Sequence, residues 1–243
     1  MIYVIGDIHG CYEEFMAMLD KIEFDSEFDM MYCVGDYIDR GKDSYKMMQF
    51  VDEFSESCCF RFIRGNHEQE FITNMDLLNS IDSKLPAHEI CEQLHIKSMY
   101  FDTYGTIRQL IKEGHVQYLT RMSNIFRKFP LYYQFHYRGN TYIIVHAGFS
   151  NKLTGEDFEN FVLYARDEAY TKGGVEKRII ISGHTPTIVD GEFSYNDGNV
   201  FKYERPEIQC TFYNIDCGCC FKDRDKNAKL ACIRLDDNEI FYV

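Results

Sequence analysis

Long apolar runs, positive charge and proline are all scarce in this 243-residue chain. The apolar run that opens it, MIYVIG, breaks at Asp7, far short of the roughly 20 residues a membrane span needs. No stretch reads as a signal peptide, so a soluble, cytoplasmic protein is the expectation. Lysine and arginine number 26 against 39 acidic residues, a formal net charge of −13. That excludes a nucleic-acid surface held by a basic stripe, but not a small, locally positive anion pocket. Internal repeats, low-complexity segments and tryptophan are absent. The ten cysteines lack the pair-and-pair spacing of a zinc site, although Cys210, Cys217, Cys219, Cys220 and Cys232 crowd the end of the chain. Disulfide scaffolds are typically short and secreted, so these thiols read as small apolar residues in buried strands, kept reduced.

What is present suffices for a substantial core, with 45% hydrophobic and 16% aromatic residues. The length suggests a single domain over 1–243, alone or with one sizeable insertion. Apolar runs at Ile2–Ile5, Met30–Val34 and Cys58–Ile63 alternate with helical spacing at Tyr12–Ile22 and Ser44–Phe54. Such alternation implies βαβ units and a largely parallel sheet. From about 68 to 128 Pro86 is the sole proline, and the pattern is mainly helical, a cap beside the sheet with helices over Glu68–Leu78, His88–Lys97, Thr106–Glu113 and His115–Phe126. Strands follow at Leu131–Tyr137 and Tyr142–His146, joined by the hairpin signal Arg138-Gly139-Asn140. Glu156–Ala165 reads as a helix and Arg178–Ser182 as a strand. Pro186–Pro206 reads as a long loop or irregular hairpin, and Thr211–Ile215, Leu230–Leu235 and Glu239–Val243 as closing strands.

Five of these strands end in loops that hold metal-ligand residue types. The loops are Gly6-Asp7-Ile8-His9-Gly10, Gly35-Asp36-Tyr37-Ile38-Asp39-Arg40-Gly41, Gly65-Asn66-His67-Glu68, His146-Ala147-Gly148 and Gly183-His184-Thr185-Pro186. Ligands of open α/β sheets bind beyond the carboxyl ends of the strands, so loops spread along the whole chain can converge on one site. The adjoining glycines allow tight turns and close approach to an ion or phosphate. Singly, each piece has an ordinary explanation: a helix cap, a solvated loop, a hydrogen-bonded structural histidine. Five such loops at one end of a sheet are not explained that way.

The motif set resembles the phosphoprotein-phosphatase branch of the calcineurin-like metallophosphoesterases, in the type found in bacterial and phage serine/threonine protein phosphatases. It carries Gly-Asp-Ile-His-Gly, Gly-Asp-x-x-Asp-Arg-Gly, Gly-Asn-His-Glu and, in the expected order, His146-Ala147-Gly148 and Gly183-His184. The resemblance spans essentially the whole chain and extends to Asn214-Ile215-Asp216-Cys217-Gly218; the stretch 68–128 matches least. It implies an α/β (α+β) fold, a β-sandwich of two mixed sheets flanked by helices. It further implies two divalent metal ions, with Asp7 and His9 on the first, Asp36 bridging, and Asn66, His146 and His184 on the second. Mixed carboxylate, imidazole and amide donors suit manganese first, with iron or zinc as alternatives, over magnesium or calcium. By the same resemblance a hydroxide bridging the metals attacks phosphorus, His67 is the general acid, Asp39 orients it, and Arg40 binds the phosphate. A second phosphate-binding arginine is expected at Arg166, where Tyr164 stands at the aromatic position; Arg64 also lies close.

The substrate expected from this resemblance is phosphoserine or phosphothreonine in a protein, with phosphotyrosine and small aryl phosphates tolerated. The alternative is a symmetrical hydrolase of dinucleoside polyphosphates such as diadenosine tetraphosphate. That would need stacking aromatics, for which Tyr100, Phe101 and Tyr104 are available but read more readily as core. A binding module on an inactive scaffold is disfavoured by the complete ligand set. A nuclease of the wider superfamily is disfavoured by Pro186, where a Gly-His-x-His end would place histidine. No membrane or nucleic-acid partner is expected.

Overall fold

The computed structural model describes residues 1–82, 84–97 and 105–243, the side chains of 95–97 excepted, so Tyr100, Phe101 and Tyr104 fall outside the described residues. The first third of the chain alternates as its apolar runs dictate: β1 (Ile2–Ile5), α1 (Tyr12–Lys21), β2 (Met30–Cys33), α2 (Ser44–Phe54) and β3 (Phe60–Phe62). Four helices follow, α3 (Asn66–Leu78), α4 (Ala87–Lys97), α5 (Thr106–Lys112) and α6 (Val116–Lys128). The remainder contains β4 (Tyr132–Tyr137), β5 (Asn140–Val145), α7 (Gly155–Tyr164), α8 (Asp167–Thr171), β6 (Ile179–Ser182), β7 (Phe201–Arg205), β8 (Cys210–Asn214), β9 (Ala231–Arg234) and β10 (Glu239–Tyr242). No described helix is long and apolar enough to cross a membrane.

Two mixed sheets result. One runs β10-β9-β1-β2-β3, the other β4-β5-β6-β8-β7. In the first, β1, β2 and β3 are parallel, with β9 antiparallel to β1. In the second, β5, β6 and β8 are parallel, with β4 and β7 antiparallel at the edges. Strand β7 lies within the stretch 186–206 expected to be irregular. Its alternating Phe201, Tyr203 and Arg205 are half-buried, and backbone pairing to β8 orders a sequence that turn residues on either side obscure. Arg138 and Gly139 make the two-residue hairpin turn between β4 and β5, both at positive φ (45° and 83°), which matches the right-handed twist of the flanking strands.

Side-chain alternation sorts the core into layers. On β5, Tyr142 and Ile144 point between the sheets, where they meet Val4, Tyr32, Val34, Ile181 and Ile233. Ile143 and Val145 point outward to Val162, Leu163 and Tyr170 of α7 and α8. Tyr3 and Ile5 of β1 face outward into the largest cluster, shared with α1, α2 and the four-helix stretch. The helical insertion is therefore layered on the outer face of the first sheet. Each large apolar side chain fully buried this way contributes about 1.5–3 kcal/mol of hydrophobic stabilisation.

Both parallel triplets point the same way, so six strand ends open at one edge of the sandwich. The sheets approach closely there. A Cβ at Gly6, just beyond β1, would lie 2.3 Å from the Ile215 carbonyl oxygen at the end of β8, and the Gly6 amide is already committed to the Ala231 carbonyl at 3.0 Å. Gly6→Ala should therefore cost about 1–3 kcal/mol, lowering the calorimetric melting temperature by about 2–4 °C per kcal/mol. An unchanged melting temperature would show that the strand ends are not held this tightly.

Candidate metal centre

The six strand ends deliver Asp7 and His9 after β1, Asp36, Asp39 and Arg40 after β2, Asn66 and His67 after β3, His146 after β5, His184 after β6 and Asp216 after β8. All of these except Asn66 and Arg40 are buried. The backbone is contorted to present them. His9, Asp36, Asp39, Arg40 and His184 all have positive φ, between 48° and 71°, among eleven non-glycine residues described in that region. Each such residue costs on the order of 1–3 kcal/mol unless its surroundings hold it, and the clustering at one place is the usual mark of a functional site.

Glu68 does much of that holding. It is fully buried, and its carboxylate accepts from the amides of Asp36 (2.8 Å), Tyr37 (2.8 Å) and Gly65 (3.0 Å). As the third residue of α3 it caps its own helix through Gly65, the reach-back half of a capping box. It also locks the Asp36 turn against that helix. Tyr37 fastens the same turn from below, its hydroxyl donating to the Ile63 (2.7 Å) and Cys33 (3.1 Å) carbonyls. Burial, then Asp36, push the Glu68 carboxyl up to about 8.

Asp36 is the centre of the arrangement. Its Oδ2 is 3.4 Å from His9 Nε2 and 3.9 Å from His67 Nε2; its Oδ1 is 3.5 Å from His146 Nε2 and accepts from the His67 amide at 3.0 Å. His146 Nε2, His184 Nδ1 and Asn66 Oδ1 form a tight triangle, with separations of 2.9, 3.0 and 3.2 Å. His146 Nδ1 donates to the Val34 carbonyl (2.9 Å) and His9 Nδ1 to the Ile38 carbonyl (3.0 Å), so in the neutral rings both Nε2 atoms carry lone pairs. Burial lowers the affinity of His146 for a proton; burial and then Arg40 do so for His9, and burial and then His146 for His184.

The carboxyls tell the same story from the acid side. Burial, then Asp216 and Asp36, push Asp7 well above the usual range, and burial pushes Asp216 up to about 6. Burial opposes ionisation of Asp36 too, but the imidazoles facing it, His146 first, hold it well below the usual range. Asp7 Oδ1 is buried without a hydrogen-bond partner, while its Oδ2 accepts from the His184 amide at 3.0 Å. Lone pairs thus converge with few protons to share, a donor set that fits cations. Two groups at these strand ends have ligand atoms within 4.8 Å of one another: His9, Asp36 and His67, and Asp36, His146 and His184. Asp36 belongs to both. The first group contains His67 where the sequence points to Asp7, because the His67 ring stands edge-on to His9 at 4.6 Å.

His67 and Asp39 are paired, Nδ1 to Oδ2 at 2.8 Å. Burial works against a proton on His67, but Asp36 and the hydrogen bond that the ring donates to Asp39 outweigh it and raise its pKa. Arg40 donates to His9 Nε2 at 2.8 Å, and its guanidinium lies 5.8 Å from the Phe221 ring centre. Arg166, half exposed, caps the start of α8 and sits 3.7 Å from Glu192, near enough to bear electrostatically on His184 and Asp216. Arg64 is partly buried, its amide donating to the Pro130 carbonyl at 3.0 Å. Three residues here have no role that the sequence alone suggests: Glu68, the Asp216 carboxylate on the sixth strand end, and Asn214, whose amide donates to the Thr185 carbonyl at 2.7 Å and so ties β8 to the His184 loop. The Gly65-to-Glu68 spacing is the one signal that could locate Glu68.

The family profile of the calcineurin-like phosphoesterases matches residues 1–220. A bis(5'-nucleosyl)-tetraphosphatase of the asymmetrical type from Halalkalibacterium halodurans is 26% identical, over 90% of this chain and 85% of its own length. A symmetrical bis(5'-nucleosyl)-tetraphosphatase from Erwinia tasmaniensis is 42% identical over 66 residues only, 27% of this chain and 23% of its own. A crystal structure assigned provisionally as a diadenosine tetraphosphatase superposes with a TM-score of 0.62 at 16% identity, covering 100% of this chain and 92% of that one. A Saccharomyces cerevisiae protein serine/threonine phosphatase gives 0.54 at 17%, covering 100% and 78%. These structures share the two-sheet fold.

The Glu68 brace is directly testable. Glu68→Ala strands three buried amides at about 1–3 kcal/mol each. Glu68→Gln can keep its oxygen on the Asp36 and Gly65 amides and lose only Tyr37, about one third of that cost. Urea unfolding should rank wild type above Gln and Gln well above Ala; equal stability of all three would remove the brace from the account.

Proposed function

Because the chain belongs to the calcineurin-like phosphoesterase family, we propose that it is a metal-dependent hydrolase of dinucleoside polyphosphates, diadenosine tetraphosphate or a close analogue. The observation that carries the substrate is the pair of relatives aligned along nearly their whole length, from Halalkalibacterium halodurans and Oceanobacillus iheyensis. Both are asymmetrical bis(5'-nucleosyl)-tetraphosphatases, and the second aligns over 99% of this chain. The Saccharomyces cerevisiae protein phosphatase, at 17% identity, supports the fold alone, so the phosphoprotein substrate expected from the motifs gives way to the nucleotide reading. The symmetrical enzymes align over a quarter of the chain, which favours asymmetrical cleavage into ATP and AMP over two ADP.

Asp7, His9 and Asp36 are the candidate donors for one divalent ion, and Asp36, Asn66, His146 and His184 for a second. When bound, such a pair supplies Lewis acidity to the phosphate and acidifies water. The residues of the chain do the rest. The Asp39–His67 pair holds a proton on a ring beside the reacting phosphate, placed to neutralise the leaving oxygen, a role exclusive of direct ligation by the same ring. Arg40 gives up its bond to His9 Nε2, since one lone pair cannot serve both a guanidinium and an ion, and turns its paired N–H groups to the phosphate. Arg166 supplies a further cation at the rim, released from Glu192. Glu68 and Tyr37 keep Asp36 in its left-handed turn throughout.

A substrate panel on chelator-stripped protein with Mn²⁺ restored should show diadenosine tetraphosphate split to ATP and AMP, with phosphopeptides barely touched. Phosphate release from phosphoserine peptide outpacing the dinucleotide would reinstate the protein-phosphatase reading. Asp36→Ala and His146→Ala should each abolish turnover, a loss of about 10³-fold or more if each holds an ion. His67→Asn should slow substrates with poor leaving groups more than p-nitrophenyl phosphate; equal losses would argue for ligation instead of proton transfer.

A further inference from the structure

A second group of metal-ligand residues lies outside the centre described above. Cys11, at the start of α1, Glu14, in its first turn, and Cys219, in the short 3-10 turn Cys219–Phe221, place their ligand atoms within 4.8 Å of one another. Both thiols are free and lie within 4.8 Å of each other, and Cys11 Sγ donates to the His9 carbonyl at 3.8 Å. Cys219 is buried; Cys11 and Glu14 are partly exposed on a cleft of about 270 Å³ that also contains Cys220, Lys222 and Arg40. The pairing joins residues 208 positions apart in sequence, so the missing pair-and-pair spacing among the C-terminal cysteines does not apply: the partner of Cys219 comes from the other end of the chain.

We propose that Cys11, Glu14 and Cys219 form a separate site for a thiophilic divalent cation of the zinc class, its fourth position open to the cleft. The physical case has three parts. Two sulfurs and one carboxylate oxygen within 4.8 Å of one another need only small side-chain adjustments to form a four-coordinate zinc shell, whose ligand–metal distances of about 2.0–2.3 Å put donors some 3–4 Å apart. Two thiolates and a carboxylate carry three negative charges, of which the ion offsets two, and Lys222, 3.2 Å from Glu14 Oε1, offsets the third. The buried sulfur, half-buried partners and open cleft give a dry floor and an entry path. A disulfide between the two thiols would explain their proximity but not the carboxylate beside them. Occupancy would tie the N-terminus of α1, two residues beyond His9, to the turn that carries Phe221 beneath Arg40.

The site is independent of the hydrolytic reading and is tested without an activity assay. Reduced, chelator-stripped protein titrated with Co²⁺ should develop thiolate-to-metal charge-transfer absorption in the near ultraviolet, reversed by Zn²⁺. The dinuclear centre has no sulfur donor and cannot give that band. Cys11→Ser, which keeps a good residue at the head of the helix, should abolish the band and lower the zinc content by about one ion per chain relative to wild type. Glu14→Gln should weaken Co²⁺ binding at least tenfold, whereas the exposed Cys58→Ser should leave it unchanged. Because Cys219 is buried and its replacement risks misfolding, the Cys11 and Glu14 variants carry the test. No charge-transfer band, a band that survives Cys11→Ser, or a Cys11–Cys219 disulfide that forms equally fast with and without saturating Zn²⁺ would overturn the proposal.

Discussion

The Asp36 carboxylate is buried among four imidazoles, and almost everything at the strand ends is arranged so that it can stay there. A carboxylate out of water is costly unless charge and hydrogen bonds meet it on all sides. His9, His67 and His146 approach its two oxygens from β1, β3 and β5, and so from both sheets. The sandwich is thereby pinned electrostatically at the edge where its two layers open. The glycines at positions 6, 41, 65 and 183 are the steric counterpart: at each, a Cβ would fall within 2.3 Å of an oxygen of another segment. Charge draws the loops together and the absence of side chains lets them arrive.

Glu68 and Asp216 show how such a cluster is graded. Both are buried acids whose affinity for a proton is raised, yet they do different work. Glu68 spends its oxygens on backbone amides and so stabilises a turn. Asp216 Oδ1 accepts from the Gly218 amide at 2.9 Å, and its Oδ2 is buried without a hydrogen-bond partner. The first is architecture, and the second adds to the negative field that the donor set presents to cations.

Much of this is legible in the residues themselves. The βαβ start, the helical stretch after Asn66 and the five ligand-bearing strand ends follow from periodicity and from the position of Gly-Asp, Gly-Asn and Gly-His pairs, because apolar runs of this kind have one stable arrangement and its carboxyl edge is fixed by chain direction. Strand β7 is not legible, since its order comes from pairing with β8 and not from its own residues. The absence of Asp7 from the first ligand group, the commitment of Arg40 to His9, and the approach of Cys11 to Cys219 depend on side-chain directions across distant segments, which no spacing encodes. The substrate is the least legible of all: the motifs report phosphorus chemistry, while the nucleotide assignment comes from full-length relatives and not from any residue in the motifs.

The left-handed turns at His9, Asp36, Asp39, Arg40 and His184 have a further consequence for anyone who would redesign the chain. Backbone at φ near +50° to +70° accepts glycine freely, asparagine, aspartate and histidine with modest strain, and β-branched residues hardly at all. The alphabet of replacements is thus filtered twice, once by ligand chemistry and once by torsion. Asparagine for Asp36 or Asp39 removes a charge while keeping the turn, whereas threonine or valine would unwind the loop whatever their chemistry. Retuning the metal preference or the substrate is therefore more practicable from the rim, where Arg166, Glu192 and Phe193 do not carry positive φ, than from the donors themselves.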